Sequence, residues 1–240
     1  MIDNTSTWSE QKSILIILAH PDDPEFFLGG TIAKWISEGH KIHYYLLTKG
    51  DKGSADHSLT NQQVAEIRIR EQNNTAQFLG VSSVNFLNYP DGYLIPDLDT
   101  RKQVVKILRS IKPDILVTCD PLNYFANQRY INHPDHRAAG QVVIDAVFPA
   151  SGNTFFFPDL KDEGLMPHSV EEVWMSLTGD PDVILDVTAF WETRLTALKM
   201  HVSQVGDLEG FEKRMRGWLS KDENGEIKYE EKFRRIVFRR

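Results

Sequence analysis

Two short segments of the chain combine histidine with aspartate in a pattern that can hold a metal ion. They are Ala-His-Pro-Asp-Asp-Pro-Glu over residues 19–25 and His-Pro-Asp-His over residues 133–136. Two imidazoles and one carboxylate can supply three ligands to a tetrahedral zinc ion and leave the fourth position to water. The single cysteine, Cys119, excludes a cysteine-rich zinc module. Nitrogen and oxygen ligands therefore favour Zn²⁺ and also admit Fe²⁺ or Mn²⁺.

Each segment also offers a second polar group beside a potential ligand. In an extended loop successive side chains point to opposite sides, so one of Asp22 and Asp23 can bind a metal while the other acts as a base. His133 and His136 stand at the start of a predicted helix, where one can bind the metal and the other can contact a substrate. Because a metal lowers the pKa of water toward ~7 and a nearby carboxylate can take the proton, the pattern predicts hydrolysis.

The elements that must position these segments alternate between strand and helix. The apolar run 13–19 predicts a strand buried on both faces, which stops at the prolines of the first segment. Gly29-Gly30-Thr31 is predicted to open the first helix, which ends at Gly39. Further strands are predicted over 41–48, 83–88, 114–119, 172–177 and 183–187, and further helices over 61–79, 98–111 and 188–202.

This alternation predicts a Rossmann-like, three-layer α/β/α fold with a mostly parallel, doubly wound sheet. Ligands of such sheets bind at the carboxyl ends of the strands, where the connections diverge to opposite faces. The first segment follows strand one and the second follows strand four, so we expect both at this edge. A His-Pro-Asp sequence alone is more typical of a turn, and the shared location makes a metal site the favoured interpretation.

Length and composition indicate one folded domain over residues 1–240. The chain is 41% apolar and 25% charged, as is typical of globular proteins. Its net charge of -7 argues against a nucleic-acid partner. The apolar run 14–19 is far shorter than the ~20 residues of a membrane helix, so no membrane span is expected. One cysteine fits a reducing compartment, and we expect a cytoplasmic protein.

The two ends of the chain are predicted to lie outside the folded body. Residues 1–12 are expected to form a polar lead-in and residues 206–240 a charged C-terminal arm, since runs of charge are usually solvated. Alternatively, the arm binds an anionic partner, contacts a subunit of a homo-oligomer, or packs on the body through its interleaved apolar residues. Its basic residues include Lys232, Arg234, Arg235, Arg239 and Arg240.

With these motifs, the sequence resembles the LmbE-like, or PIG-L, family of zinc-dependent de-N-acetylases. The segment AHPDDPEFFLGGTIA at 19–33 is similar to the family motif AHPDD-x-E, and HPDH at 133–136 is equally specific. Weaker similarities are TKG at 48–50, R-x-x-E at 68–71, LGV at 79–81, YPDG at 89–92 and H-x-S-Q at 201–204. The resemblance covers most of the chain and implies the same α/β fold.

The resemblance implies a role for each matching position. The implied metal ligands are His20, Asp23 and His136. Asp22 would be the general base, and His133 would polarise the amide carbonyl or stabilise the oxyanion. Asp135 would orient an imidazole. Arg68 and Asp91 would lie around the substrate, although a salt bridge and a turn explain them equally well.

Two further positions are left open by the resemblance. Pro24 separates Asp23 from Glu25, whereas some members have an acid directly after the second aspartate, which puts any role of Glu25 in doubt. For His201 a packing or capping role at a helix end is favoured over a role in the site.

The function implied is removal of an acetyl group from an N-acetylated amino sugar, such as an N-acetylglucosamine conjugate. The water would be activated by zinc, with Asp22 as general base. The alternatives are hydrolysis of another small amide, such as a thiol conjugate or formyl group, and non-catalytic binding of a metal or sugar. A dinucleotide-binding domain is disfavoured, because the sequence lacks the G-x-G-x-x-G spacing.

Overall fold

The computed structural model describes residues 8–127, 130–221 and 223–238. Its strands are β1 (Ser13–Leu18), β2 (Lys41–Thr48), β3 (Ser83–Tyr89), β4 (Ile115–Cys119), β5 (Phe125–Asn127), β6 (Tyr130–Ile131), β7 (Glu172–Ser176), β8 (Val183–Asp186), β9 (Ser220–Lys221), β10 (Ile227–Lys228) and β11 (Glu230–Val237). Its α-helices are α1 (Asp23–Ser37), α2 (Asn61–Leu79), α3 (Leu98–Ile111), α4 (Pro134–Asp145), α5 (Asp159–Asp162), α6 (Trp191–Lys199), α7 (Val202–Val205) and α8 (Leu208–Arg216). A π-helical segment (Ala146–Ser151) and a 3₁₀ turn (Thr188–Phe190) complete the regular structure.

One mostly parallel sheet organises the chain, in the order β3-β2-β1-β4-β7-β11-β8. Neighbouring strands from β3 to β7 pair in parallel, and β11 pairs antiparallel with both β7 and β8. The predicted α/β fold is therefore confirmed. Within the described ranges, no helix is both long enough and apolar enough to span a membrane.

Strand β1 lies inside the sheet, between β2 and β4, and contributes to both apolar layers. Ile14 and Ile16 pack with helices α1, α2 and α6, whereas Leu15 and Ile17 pack with α3 and α4. All four side chains are fully buried, and such burial contributes roughly 1.5–3 kcal/mol per side chain. Because α1 follows β1 onto one face and α4 follows β4 onto the other, a crevice opens between the carboxyl ends of these adjacent strands.

The first helix starts earlier than the sequence indicated. It begins at Asp23, with Pro24 in the first turn, where proline costs no hydrogen bond. The helix is interrupted at Leu28, and the predicted start at Gly29 was therefore the start of its second segment only. The Glu231 carboxylate accepts hydrogen bonds from the N–H groups of Gly30 (2.9 Å) and Thr31 (2.7 Å) at this break.

The prediction of a solvated arm over 206–240 is wrong for strand β11. This strand lies inside the sheet, and its side chains Glu231 and Phe233 are buried. Apolar and charged residues alternate along this segment, which suits a strand whose two sides differ. The structure therefore agrees with the alternative in which the segment packs on the body through its apolar residues. The predicted basic residues Arg239 and Arg240 lie outside the described residues.

The prediction of a polar lead-in over residues 1–12 is wrong for Trp8, which packs on the core. Residues 1–7 lie outside the described residues. Trp8 packs on Trp35 and Trp174, with ring centroids 5.5 and 5.8 Å apart, and its indole N–H donates to Glu172 at 3.0 Å. The lead-in is thus joined to the core from Trp8 onward, because an indole ring gains by leaving water.

Candidate active site

Both histidine–aspartate segments meet in the crevice between β1 and β4. His20 follows β1 closely, and His133 and His136 stand at the beginning of α4. A cavity of about 600 Å³ opens there, a size suited to a small organic molecule. Among the residues that line it are His20, Asp22, Asp23, Arg68, Asp91, His133 and His136.

The Asp23 carboxylate lies between two imidazole rings. Its Oδ1 is 3.1 Å from Nε2 of His136, and its Oδ2 is 3.4 Å from Nδ1 of His20. Although burial alone would raise the pKa of Asp23, the nearby His136 and His20 hold it well below its usual value. The carboxylate is therefore ionised, which is the form that binds a metal.

Each of the two histidines is oriented through its other ring nitrogen. Nε2 of His20 is 3.2 Å from Oδ2 of Asp135, and Nδ1 of His136 is 3.0 Å from Oδ1 of Asn132. Those contacts leave Nδ1 of His20 and Nε2 of His136 facing Asp23. Two oriented imidazole nitrogens and an ionised carboxylate are a donor set that suits zinc, so the residues present fit the ion that the sequence predicts.

His133 lies close enough to be considered as a ligand as well. Potential ligand atoms of His20, His133 and His136 all lie within 4.8 Å of one another. However, the backbone N–H of Asp135 donates to Nδ1 of His133 at 3.2 Å, so a neutral His133 carries its proton on Nε2. Burial and the neighbouring His20 and His136 lower the pKa of His133, which favours this neutral form. His133 thus offers a hydrogen-bond donor to the cavity.

Asp22 adopts a conformation that differs from the predicted one. Its φ is 80°, in the left-handed region, and Asp23 begins α1 directly after it, so the expected extended loop is wrong. The left-handed turn, rather than strand-like alternation, separates the two carboxylates. Oδ2 of Asp22 is 3.4 Å from Nη2 of Arg68. Burial raises the pKa of Asp22 to about 6, against the opposing effect of Arg68.

Arg68 and Asp91 both contact groups of the site. The Arg68 guanidinium donates to the carbonyls of Gly50 (3.0 Å) and Pro21 (2.7 Å). Oδ1 of Asp91 is 3.2 Å from Nε2 of His20, whose proximity lowers the pKa of Asp91 to about 2 despite partial burial. The contacts seen for both residues are with the protein itself, and their role toward a substrate stays a prediction.

Sequence reasoning missed two polar residues that hold the site together. Asn132 orients His136, and Gln72 accepts the backbone N–H of Asp22 at 2.7 Å through Oε1. Gln72 lies four residues after Arg68 on α2, so helical spacing could have indicated that both face the same crevice. Sequence reasoning also missed Phe26, Phe27 and Trp218, which line the cavity together with Tyr130.

Comparison with known proteins places this site in a family. Residues 15–147 match the PIG-L family, described as GlcNAc-PI de-N-acetylase. Diacetylchitobiose deacetylase of Thermococcus kodakarensis is 35% identical over 197 residues, which is 82% of this chain and 72% of that protein. 4-Oxalmesaconate hydratase of Pseudomonas putida is 27% identical over 209 residues, or 81% of this chain and 74% of that protein.

A solved structure agrees with the sequence matches. The N,N'-diacetylchitobiose deacetylase from Pyrococcus horikoshii, in complex with an inhibitor, superposes with a TM-score of 0.86 at 33% identity, covering 98% of this chain and 87% of that one. The family match spans both histidine–aspartate segments, from β1 to the end of α4. This chain therefore belongs to the PIG-L family, also called LmbE-like.

Proposed function

We propose that this protein is a zinc-dependent hydrolase that removes the acetyl group from an N-acetylated amino sugar. The observation that carries the proposal is that the adjacent residues Asp22 and Asp23 have different contacts. Asp23 lies between the two histidines, whereas Asp22 lies 3.4 Å from Arg68, and burial raises its pKa. Family membership and the names of two of the relatives favour deacetylation of a sugar as the reaction.

Three residues would hold the zinc ion: His20, Asp23 and His136. When bound, zinc acts as a Lewis acid that lowers the pKa of water toward ~7 and polarises a carbonyl. Asp135 and Asn132 keep the two imidazoles in place through their remaining ring nitrogens. Such partners are worth about 10- to 100-fold in metal affinity.

Asp22 would act as the general base and then as the acid. Its carboxylate takes a proton from the attacking water, and burial raises its pKa, which makes it a stronger proton acceptor than an exposed aspartate. The proton then goes to the nitrogen of the leaving amine as the amide C–N bond breaks. Acetate and a free amino sugar are the products.

His133 would stabilise the charge that develops on the amide oxygen. Its Nε2–H faces the cavity because Nδ1 accepts the Asp135 N–H. A donor that is fixed before the reaction stabilises a developing oxyanion without reorganising. Arg68 and Asp91 would support the reaction indirectly, through Asp22 and His20 respectively.

The experiment measures acetate release from N-acetylglucosamine and N,N'-diacetylchitobiose, together with the zinc content of the same samples. We expect about one zinc per chain in the wild type and in Asp22→Asn, and loss of zinc in Asp23→Ala. The Asp22→Asn variant should lose roughly 10²- to 10⁴-fold in kcat, the usual contribution of a general base. Near wild-type turnover of zinc-loaded Asp22→Asn would contradict the assignment of the base.

The substrate panel also separates the alternatives. It includes N-formyl and thiol-conjugate amides, because the same geometry could attack either bond. One relative, 27% identical to this chain, is named as a hydratase, which is a further reason to test more than one class of substrate. Zinc-loaded protein that releases no acid from any amide would refute the hydrolase function.

A further inference from the structure

A chain of buried polar side chains is joined to the backbone of Asp22. It consists of Gln72, Glu25, His201 and Tyr44, each 0–1% exposed. None of the four lines the cavity. We call this set the Gln72 network. The proposed reaction uses none of its members; the sequence left the role of Glu25 in doubt and favoured packing or capping for His201, whose side chain makes no capping hydrogen bond.

Hydrogen bonds link the Gln72 network to Asp22 one residue after another. Oε1 of Gln72 accepts the backbone N–H of Asp22 at 2.7 Å. Nε2 of the same amide donates to both oxygens of Glu25, at 3.1 and 3.2 Å. Glu25 is also 3.1 Å from Nε2 of His201, and it accepts the Tyr44 hydroxyl at 3.3 Å. Every link is within hydrogen-bond distance and buried.

Glu25 fixes which way the Gln72 amide points. Both oxygens of Glu25 face the NH₂ group of Gln72, and the N–H of Asp22 can only donate, so the oxygen of Gln72 must face Asp22. His201 and Tyr44 hold the Glu25 side chain in turn. The orientation of one amide is therefore determined by residues from α1, β2 and the segment between α6 and α7.

Asp22 needs such support because its backbone is unfavourable. A φ of 80° is rarely adopted by residues other than glycine, and strained residues persist only where their surroundings hold them. The Asp22 side chain makes no capping hydrogen bond to α1 that would hold it locally. Its backbone N–H is held by Gln72 instead.

We propose that Gln72 is a positioning residue, which holds the backbone of Asp22 so that its carboxylate faces the cavity while Asp23 faces the two histidines. Glu25 and His201 act through Gln72 by fixing its amide. This inference rests on the proposed function, because it gives Asp22 the role of general base. It assigns the Gln72 network to the orientation of that base rather than to binding of substrate or metal.

The decisive variant is Gln72→Leu, which removes the amide at similar size. We expect kcat to fall on the order of 10- to 100-fold, as for a misplacement of about 1 Å in a reacting group. KM should stay within about twofold and zinc at one per chain, because neither depends on the Asp22 carboxylate. In the metal-free protein, the backbone amide of Asp22 should exchange with deuterium faster than in the wild type.

Thr75→Val is the matched control. Thr75 is buried on the same helix, and its hydroxyl donates to the carbonyl of Glu71, away from Asp22. This variant should leave kcat and the exchange of the Asp22 amide unchanged. An equal loss of kcat in Thr75→Val would show a general effect of perturbing α2 and would overturn the positioning role.

Exchanging the amide and the carboxylate between Gln72 and Glu25 tests whether Glu25 acts through Gln72. Gln72→Glu places a second carboxylate against Glu25 and should lose activity as Gln72→Leu does. Adding Glu25→Gln restores one amide and one carboxylate, so the double variant should recover most of the lost kcat. A double variant no better than Gln72→Glu, or a Gln72→Leu with kcat within twofold of wild type, would overturn the inference.

Failure of this inference differs from failure of the proposed function. If Asp22→Asn is inactive and Gln72→Leu is fully active, the base is correct and the positioning role is wrong. If Asp22→Asn is itself fully active, the proposed function is wrong and the inference falls with it.

Discussion

Asp135 offers the sharpest test of how the structure prepares the metal site. Its side chain is fully buried, and each carboxylate oxygen accepts at least one hydrogen bond. Oδ2 accepts the N–H of Gly92 at 2.7 Å and lies 3.2 Å from Nε2 of His20, while Oδ1 accepts the N–H of Leu94 at 3.2 Å. The perturbation is Asp135→Asn, which changes the shape little but turns one of the two acceptors into a donor.

The magnitude follows from these contacts. If the amide NH₂ takes the place of Oδ1, the N–H of Leu94 loses its acceptor; if it takes the place of Oδ2, the N–H of Gly92 loses its acceptor and His20 keeps only Asp91. A buried donor left without a partner costs about 1–3 kcal/mol, so the metal-free variant should lose about that much free energy of unfolding. In either orientation His20 faces a neutral amide in place of the Asp135 carboxylate, which should weaken zinc binding about 10- to 100-fold.

The assay separates the two effects. Urea unfolding in the presence of a chelator gives the stability of the metal-free protein, and competition with a chromogenic chelator gives the zinc dissociation constant. Asp120→Asn is the control: its buried carboxylate accepts the N–H of Leu122 (2.9 Å) and the hydroxyl of Thr178 (2.7 Å), without a contact to His20 among those described. It should lose stability and keep its zinc affinity.

One result would refute the reasoning. If Asp135→Asn binds zinc as tightly as the wild type while losing the expected stability, Asp135 serves the fold alone and does not orient His20. Equal losses of zinc affinity in Asp135→Asn and Asp120→Asn would point to general loosening of this edge of the sheet, which also contradicts a specific role.

Three further outcomes follow from the site and its supports. Because Asp22 must be ionised to accept a proton and burial raises its pKa to about 6, kcat/KM should fall as the pH drops through 6; a rate independent of pH from 5 to 7 would contradict this. Arg68→Met removes the charge that lowers the pKa of Asp22, so the acidic limb of the profile should move to higher pH; an unmoved limb would show that Arg68 has no electrostatic role. Glu231→Gln removes the anion that lies 3.5 Å from Nε of buried Arg194 and accepts two N–H groups of α1. Urea unfolding should show a loss of about 3–5 kcal/mol in the free energy of unfolding, with zinc content unchanged, and a loss below about 1 kcal/mol would contradict this.

The sequence by itself determined much of the architecture, because local signals specified it. The capping box of Thr60 and Gln63 and the left-handed Gly80 bound α2 where the sequence indicated, since both signals act within a few residues. The unbroken apolar run before His20 required a strand covered on both faces, and the order of elements then brought the residues of the two segments together at one edge. Motif similarity added the family, which the comparisons confirmed.

Only the tertiary structure decided how the site is held. The left-handed Asp22, the amide of Gln72 and the place of Glu25 behind them depend on contacts between residues far apart in sequence. The charged C-terminal segment looked solvated because its pattern is local, but pairing with β7 and β8 supplies the partners that bury Glu231 and Phe233. Spacing along the chain reports which residues can share a face, whereas burial and hydrogen-bond partners are properties of the assembled sheet and helices.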